Sequence, residues 1–287
     1  MLRRFDDLLA TTFAVPQNEG SDKVMPLTEA IRRHVKPGMS LHITETTGAA
    51  VCQLLREFHG TTPGFTLMMI GVGGYSMFLV HAGLVKKIIT SLCVGGGRTP
   101  SFNPIIQKVF RDSSVEIENW SLLSIPQRFM AGALGVPFMP TRSILGSSMA
   151  QENKDSFKVI DDPFGSGRQA SLVKALNPDI SLAHACAADP YGNAILPQSG
   201  GTGHGPWGLF ASTKGVILTV EKLVSTDFIR EHSHLVRLPG HLVSSVSVVP
   251  FGAHPGALIR RGIRGFETYG EDDDFVDRQA EALEKPE

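Results

Sequence analysis

An alternation constrains this chain more than any other feature: short apolar runs and segments of helical periodicity follow one another, punctuated by glycines. Met39 to Thr44 reads as a strand, and Gly48 to Phe58 then places Ala50, Val51, Leu54, Leu55 and Phe58 on one helical face before a stop at Gly60. The pattern repeats. Phe65 to Ile70 and Lys87 to Cys93 are apolar runs, while Ile105 to Phe110 and Ser124 to Leu134 read as helices, with Pro126 tolerated in a first turn. Further runs at Ile180 to Ala185, Gly215 to Val220 and Val243 to Val249 continue the series. Parallel strands need crossover connections, so this alternation predicts an α/β fold with a mainly parallel sheet flanked by helices on its faces.

The whole of 1–287 reads as one domain. A minor lobe boundary is placed near 147–167, where Gln151 to Asp155 and Asp161 to Gly165 are polar and turn-rich, the alternative being an excursion within that domain. Five glycines between Gly200 and Gly208 predict a surface loop, and 270–287 forms an acidic tail with a short helix over Phe275 to Leu283.

Charge narrows the class of partner. Lys and Arg total 27 against 28 Asp and Glu, and they are scattered, so no nucleic-acid surface is expected. No 18-residue apolar span occurs, and the two N-terminal arginines are followed by Asp6 and Asp7 instead of an apolar core, so neither a membrane span nor a signal peptide is expected. Cys52, Cys93 and Cys186 lack metal or disulfide spacing, which suits a reducing cytoplasm. His232 and His234 stand two apart without a carboxylate or thiol at ligand spacing, so no metal is expected. No Gly-x-Ser-x-Gly elbow is present, which argues against Ser-His-Asp chemistry.

Glycine-rich turns follow several of the strands. Gly71 to Gly74 and Gly95 to Gly97 match neither the dinucleotide nor the P-loop fingerprint, so they read as tight turns or as parts of a pocket at the strand ends. Thr44 to Gly48 occupies the first such turn. There Glu45 is either a base or substrate contact, or belongs to a helix start capped by Thr46 or Thr47. If the strands ending at Thr44, Ile70 and Cys93 are parallel neighbours, their turns bring Glu45, Gly73 and Gly97 together, with Ser147 and Ser148 nearby. Arg98 is either a carboxylate partner there or a solvated side chain. His254 stands between a structural turn and a functional role, and His204 with Trp207 between a ring-stacking cover and plain exposure.

Beyond these chemistry-bearing positions, a series of landmarks runs through the second half: Asp161-Asp162-Pro163-Phe164, Asp179 to Ala185, Ala188-Asp189-Pro190-Tyr191-Gly192-Asn193, Thr219-Val220-Glu221, Leu238-Pro239-Gly240 and Gly252-Ala253-His254-Pro255. In this order they resemble the α subunit of the family I coenzyme A transferases, most nearly the glutaconate group, and they are also similar to the α subunit of a related steroid-ring-opening CoA hydrolase. The resemblance covers about residues 25 to 270. Glu118 to Phe138, with its Ala-Gly stretch and Gly-x-Pro turn, fits the family pattern, whereas Glu45 and its threonines replace the usual glycine pair and aromatic. An extra acid of the hydrolase near Leu122 is absent, with Glu118 about one turn away.

The resemblance implies a three-layer α/β subunit that pairs, in an α2β2 or larger assembly, with a homologous β subunit. The implied reaction moves CoA between an acyl-CoA and a free carboxylic acid. The nucleophilic glutamate would sit on the partner, in a Ser-Glu-Asn-Gly-like segment missing here, leaving Glu45 as the one catalytic candidate in this chain. Thr46, Thr47, Gly73, Gly74, Gly96, Gly97, Arg98, Ser147 and Ser148 are the substrate-binding candidates. No tightly bound cofactor is expected, and the coenzyme A thioester enters as substrate. The alternatives are a subunit of an acyl-CoA hydrolase or ring-cleaving thioester enzyme, or a non-catalytic acyl-CoA binding subunit.

Overall fold

A computed structural model describes residues 4–7, 20–93, 104–198, 206–259, 265–266 and 268–284. Helix α1 (Leu27–His34) precedes β1 (Ser40–Ile43), and α2 (Gly48–Phe58) leads to β2 (Phe65–Met68). A two-residue strand β3 (Gly71–Val72), then α3 (Ser76–His81), β4 (Val85–Thr90), β5 (Leu92–Cys93), α4 (Pro104–Asp112) and β6 (Glu116–Asn119) complete the first wing. The predicted α/β character holds, and so does the helix predicted from Gly48 to Phe58, which buries Ala50, Val51 and Leu54 and is followed by Gly60 at φ +73°.

After α5 (Ser124–Ala133) the chain forms β7 (Phe138–Thr141), α6 (Ser148–Glu152), β8 (Phe157–Asp161) and β9 (Gln169–Lys174). It then re-enters the sheet as β10 (Ile180–Ala188), turns back as β11 (Ala194–Ile195), and runs through α7 (Trp207–Phe210), β12 (Val216–Leu223), α8 (Thr226–Glu231) and β13 (Val243–Val248). The last helix is α9 (Asp273–Glu284).

The main sheet has the order β13-β12-β10-β1-β2-β4-β6, and every neighbouring pair on this path is parallel. The chain therefore moves outward from β1 in one direction, then returns to β1's other side and moves outward again. Neighbouring strands β1 and β10 mark the point where the order reverses, and open α/β sheets leave a crevice at the carboxyl ends there.

Alternation sorts the two faces. Leu41, Ile43, Leu67, Ile180 and Leu182 meet α1, α2, α3 and α4 through Ile31, Leu54, Leu79 and Ile105. On the opposite face Ile89 and Met68 pack with Ile125 and Phe129 of α5, Phe157, Val173 and Trp120. All nine residues of β10 are buried, as expected for a central strand covered on both sides.

One feature adds to the sequence reading and one departs from it. The stretch 147–167 contains α6, β8 and the turn into β9, and β7, β9 and β8 form a separate antiparallel sheet in that order. Trp207 and Gly208, read as loop, open a short helix instead, and an added Cβ at Gly208 would lie 2.3 Å from the His42 ring. That glycine serves close packing. The rest of the predicted loop, with His204, lies outside the described residues.

The landmark turns hold one another. The buried Asp189 carboxylate accepts from the N–H groups of Tyr191 (3.1 Å) and Asn193 (2.9 Å) and from the Asn193 amide (2.9 Å). The Asn193 Oδ1 in turn accepts from Gly240 N–H at 2.9 Å, which locks Asp-Pro-Tyr-Gly-Asn to Leu-Pro-Gly. Each hydrogen bond to a charged group contributes about 1.5–3 kcal/mol. These motifs are stability devices.

Candidate active-site rim

At the carboxyl end of β1, Thr44 N–H donates to Leu182 O of β10 (3.1 Å) and the chain then turns into α2. Thr47 stands at the N-cap position of α2, yet its hydroxyl donates back to Thr44 O at 2.7 Å and does not cap the helix. It fastens the turn. Among the described residues the N–H groups of Glu45, Thr46 and Thr47 have no acceptor in the chain. The Glu45 side chain is exposed, and it too has no partner among the described residues.

The segment after β13 leans on this turn. Ala49 N–H donates to Gly252 O at 2.9 Å, and the Tyr75 hydroxyl donates to His254 O. A Cβ added to Gly48 would lie 2.2 Å from His254 O and 2.7 Å from the Tyr75 ring. Only a residue without a side chain admits this contact. Burial, then the nearby Cys52 and Asp272, push the Tyr75 hydroxyl well above its ordinary pKa, so it stays protonated as a donor.

The same loop hangs from a buried polar relay. His184 on β10 lies opposite Thr219 on β12, and its Nδ1 meets the Thr219 hydroxyl at 2.9 Å while its Nε2 meets Glu221 Oε1 at 2.8 Å. Glu221 also accepts from the Tyr269 hydroxyl (2.7 Å) and from Phe251 N–H (2.8 Å), and Ala253 N–H donates to the Tyr269 oxygen at 3.1 Å. Burial alone would raise the Glu221 carboxyl, but the hydrogen bonds from His184, Tyr269 and Phe251 outweigh it and hold the group below its usual range. Phe251 is fixed at φ +58°, in the left-handed region that an L side chain rarely adopts. The Thr219 and Glu221 landmarks thus face one histidine at a spacing of two. That period was legible in the sequence, but the partner histidine was not.

His254 has a structural place. Its Nε2 pairs with Asp272 at 3.0 Å, ahead of α9, and its ring packs edge-on against Phe275 with centroids 4.8 Å apart. The pairing holds the Asp272 carboxyl low.

Of the other candidates, Gly73 and Gly74 do adjoin this rim, through Tyr75. The Gly73 N–H is engaged by the Ser76 hydroxyl at 3.2 Å, so it is not a free donor, while a Cβ on Gly74 would meet nothing within 4 Å. Ser147 donates to Ile144 O (2.6 Å) and Ser148 begins α6; among the described residues no hydrogen bond joins either to the turn at 44–48. They lie toward β6, where the Asn153 amide donates to Asn119 O at 2.8 Å. Gly96, Gly97 and Arg98 lie outside the described residues. Glu118 is engaged by Lys87 Nζ (2.9 Å), Arg128 Nη1 (2.8 Å) and Trp120 Nε1 (2.8 Å), which binds β6 to β4 and α5. Burial would raise this carboxyl, but those bonds keep it low.

Among the described residues no group of three His, Cys, Asp or Glu side chains is arranged to hold a metal ion, and no helix is long and apolar enough to cross a membrane. Cys52, Cys93 and Cys186 form no disulfide.

Comparison with known proteins bears on the whole arrangement. The A-type subunit of glutaconate CoA-transferase from Acidaminococcus fermentans is 29% identical over 259 residues, covering 81% of this chain and 77% of that protein. The crystal structure of glutaconate coenzyme A-transferase from the same organism superposes with a TM-score of 0.78 at 26% identity, covering 92% of this chain and 84% of that one. An uncharacterised protein of Archaeoglobus fulgidus is 30% identical over 254 residues, and there 83% of this chain spans only 52% of the relative's length. Residues 24–248 match the profile described as Coenzyme A transferase, and on that extent this chain belongs to the coenzyme A transferase family.

Proposed function

We propose that this chain is the A-type half of a two-subunit transferase that moves CoA between an acyl-CoA and a free carboxylic acid, with the nucleophilic glutamate supplied by a homologous partner. The observation that carries the reading is the similarity to the A-type glutaconate CoA-transferase polypeptide over most of both chains. The rim agrees with it. The carboxylate at the turn after β1, Glu45, is exposed and has no partner among the described residues, whereas a carboxylate shaped as a nucleophile is held by neighbours that fix its orientation.

In this reading the acyl carboxylate leaves, and CoA is carried as a glutamyl thioester on the partner until the acceptor acid takes it. Splitting one transfer into two easier steps is the gain of the covalent route. This chain contributes a wall and backbone donors. The unengaged N–H groups of Glu45 to Thr47, at a sheet's carboxyl edge, are of the kind that stabilise oxyanion charge at a thioester carbonyl. The His184, Glu221 and Tyr269 relay holds the wall rigid.

The test is a CoA exchange assay between acetyl-CoA and glutaconate or a longer acid. The purified chain should give no exchange, and the complex with its partner should give robust exchange. Exchange by this chain alone would overturn the division of labour.

A further inference from the structure

The C-terminal segment is tied to the loop after β13 more closely than a trailing tail requires. Leu258 and Tyr269 exchange both backbone hydrogen bonds, at 3.0 and 3.1 Å, so the chain doubles back along that loop. Three residues on, Asp272 meets it again. Its N–H donates to Pro255 O at 2.8 Å, its Oδ2 pairs with His254 Nε2 at 3.0 Å, and its Oδ1 accepts from Phe275 N–H at 3.0 Å. The last contact caps the start of α9, which lies against α4. One side chain thus joins the C-terminal helix to the loop.

Stability alone is a weak reason for the pairing with His254. The two side chains are 42% and 41% exposed, and ion pairs so open to solvent contribute little. What the joint fixes is the place of His254. The imidazole is held by Asp272 and by the Phe275 ring, while the His254 carbonyl receives the Tyr75 hydroxyl and stands where Gly48 carries no side chain. Two residues further, a Cβ added to Gly256 would lie 3.8 Å from Glu45 O, so the loop follows the turn along its length. A shift of His254 is therefore passed to the turn that presents the N–H groups of Glu45 to Thr47.

We propose that Asp272 is a positioning residue for CoA transfer, setting through His254 where the β1 turn presents its backbone donors to the thioester carbonyl. The proposal rests on the transferase reading and adds to it a role for the C-terminal segment. Oxyanion charge develops only as the tetrahedral species forms, so displaced donors weaken the transition state and leave the binding of acyl-CoA and acid as it was. A misplacement of about 1 Å can cost about a hundredfold in rate. Asp272 acts at one remove, and its loss should cost about tenfold.

Steady-state CoA exchange by the assembled complex tests this with Asp272→Ser, His254→Gln and the double variant. Serine still caps α9 but is too short to reach His254 as well. Asp272→Ser should lower kcat and kcat/KM together by about tenfold with both KM values unchanged, the mark of an interaction made only in the transition state. The double variant should lose no more than the more affected single, because both act through one contact. Amide hydrogen exchange over residues 44–50, where Ala49 N–H donates to Gly252 O at 2.9 Å, needs no turnover and should quicken in Asp272→Ser while β10 keeps its protection. Full kcat in a folded Asp272→Ser complex, a change confined to KM, losses that add in the double variant, or unchanged amide exchange over 44–50 would each overturn the proposal and leave the transferase reading intact. No transfer by the wild-type complex would overturn that reading, and this role with it.

Discussion

Replacing Gly48 by alanine should lower CoA exchange by the assembled enzyme about a hundredfold, because the new methyl would occupy space held by His254 O and the Tyr75 ring. The nearer atom belongs to the backbone of a loop fixed from several directions: Glu221 through Phe251 N–H, Tyr269 through Ala253 N–H, and Ala49 through Gly252 O. It has little room to retreat. The strain must then move the turn at 44–48, which carries Glu45 and the unengaged N–H groups. Overpacking of this kind costs about 1–3 kcal/mol, so the variant should remain folded with a melting temperature lowered by only a few degrees. Tyr75→Phe, which removes one hydrogen bond and adds no volume, should be much milder. Undiminished exchange in a folded Gly48→Ala complex would show that this contact does not shape the site.

The second large effect is on stability, and it comes from a residue that composition and motif gave no reason to single out. His42 keeps a partly accessible edge, but its imidazole is enclosed by Gly208, by Phe129 at 5.1 Å between centroids, and by Ser181, whose hydroxyl meets Nδ1 at 3.0 Å. This enclosure decides its protonation. Burial pushes the pKa down from the ordinary 6.5 to about 4. The unfolded chain therefore takes up a proton at this position before the folded one does. Stability is complete above the ordinary value and falls as pH drops from about 6.5 towards 4, by about 1.4 kcal/mol per unit and about 3 kcal/mol in all. Urea unfolding at pH 7, 6 and 5 should show this slope. In His42→Gln the slope over the interval from pH 6 to 5 should be shallower by about one proton's worth, since carboxylates titrate lower. Parallel slopes for the two proteins would place the sensitivity elsewhere.

The parts of the fold that depend on local pattern were legible in the sequence. A helix such as Gly48–Phe58 declares itself through its apolar face and its following glycine, and an all-buried strand such as β10 through an unbroken run of small and apolar residues. The β7-β9-β8 sheet was not read, because Pro140 sits inside β7 and the polar residues from 151 to 165 obscure the strand Phe157–Asp161. Glycine counts misled at Trp207 and Gly208, where the glycine answers to a ring across the sheet and not to a turn.

The site was legible only in outline. The strand ends were expected to converge, and β1, β2 and β4 are indeed parallel neighbours, yet what presses on the β1 turn is the loop after β13, some 200 residues away in sequence. Its anchor at Glu221 depends on the register between β10 and β12, which no local window contains. Gly73 read either as part of a tight turn or as part of a pocket, and the structure sets the Ser76 hydroxyl against its N–H.

The most direct test of the half-site reading is the intact mass of each chain after the complex has been incubated with acyl-CoA and no acceptor acid. The partner should gain a covalently held CoA as a glutamyl thioester, and this chain should keep its unmodified mass. A CoA adduct on this chain, at Glu45 or any other carboxylate, would contradict it.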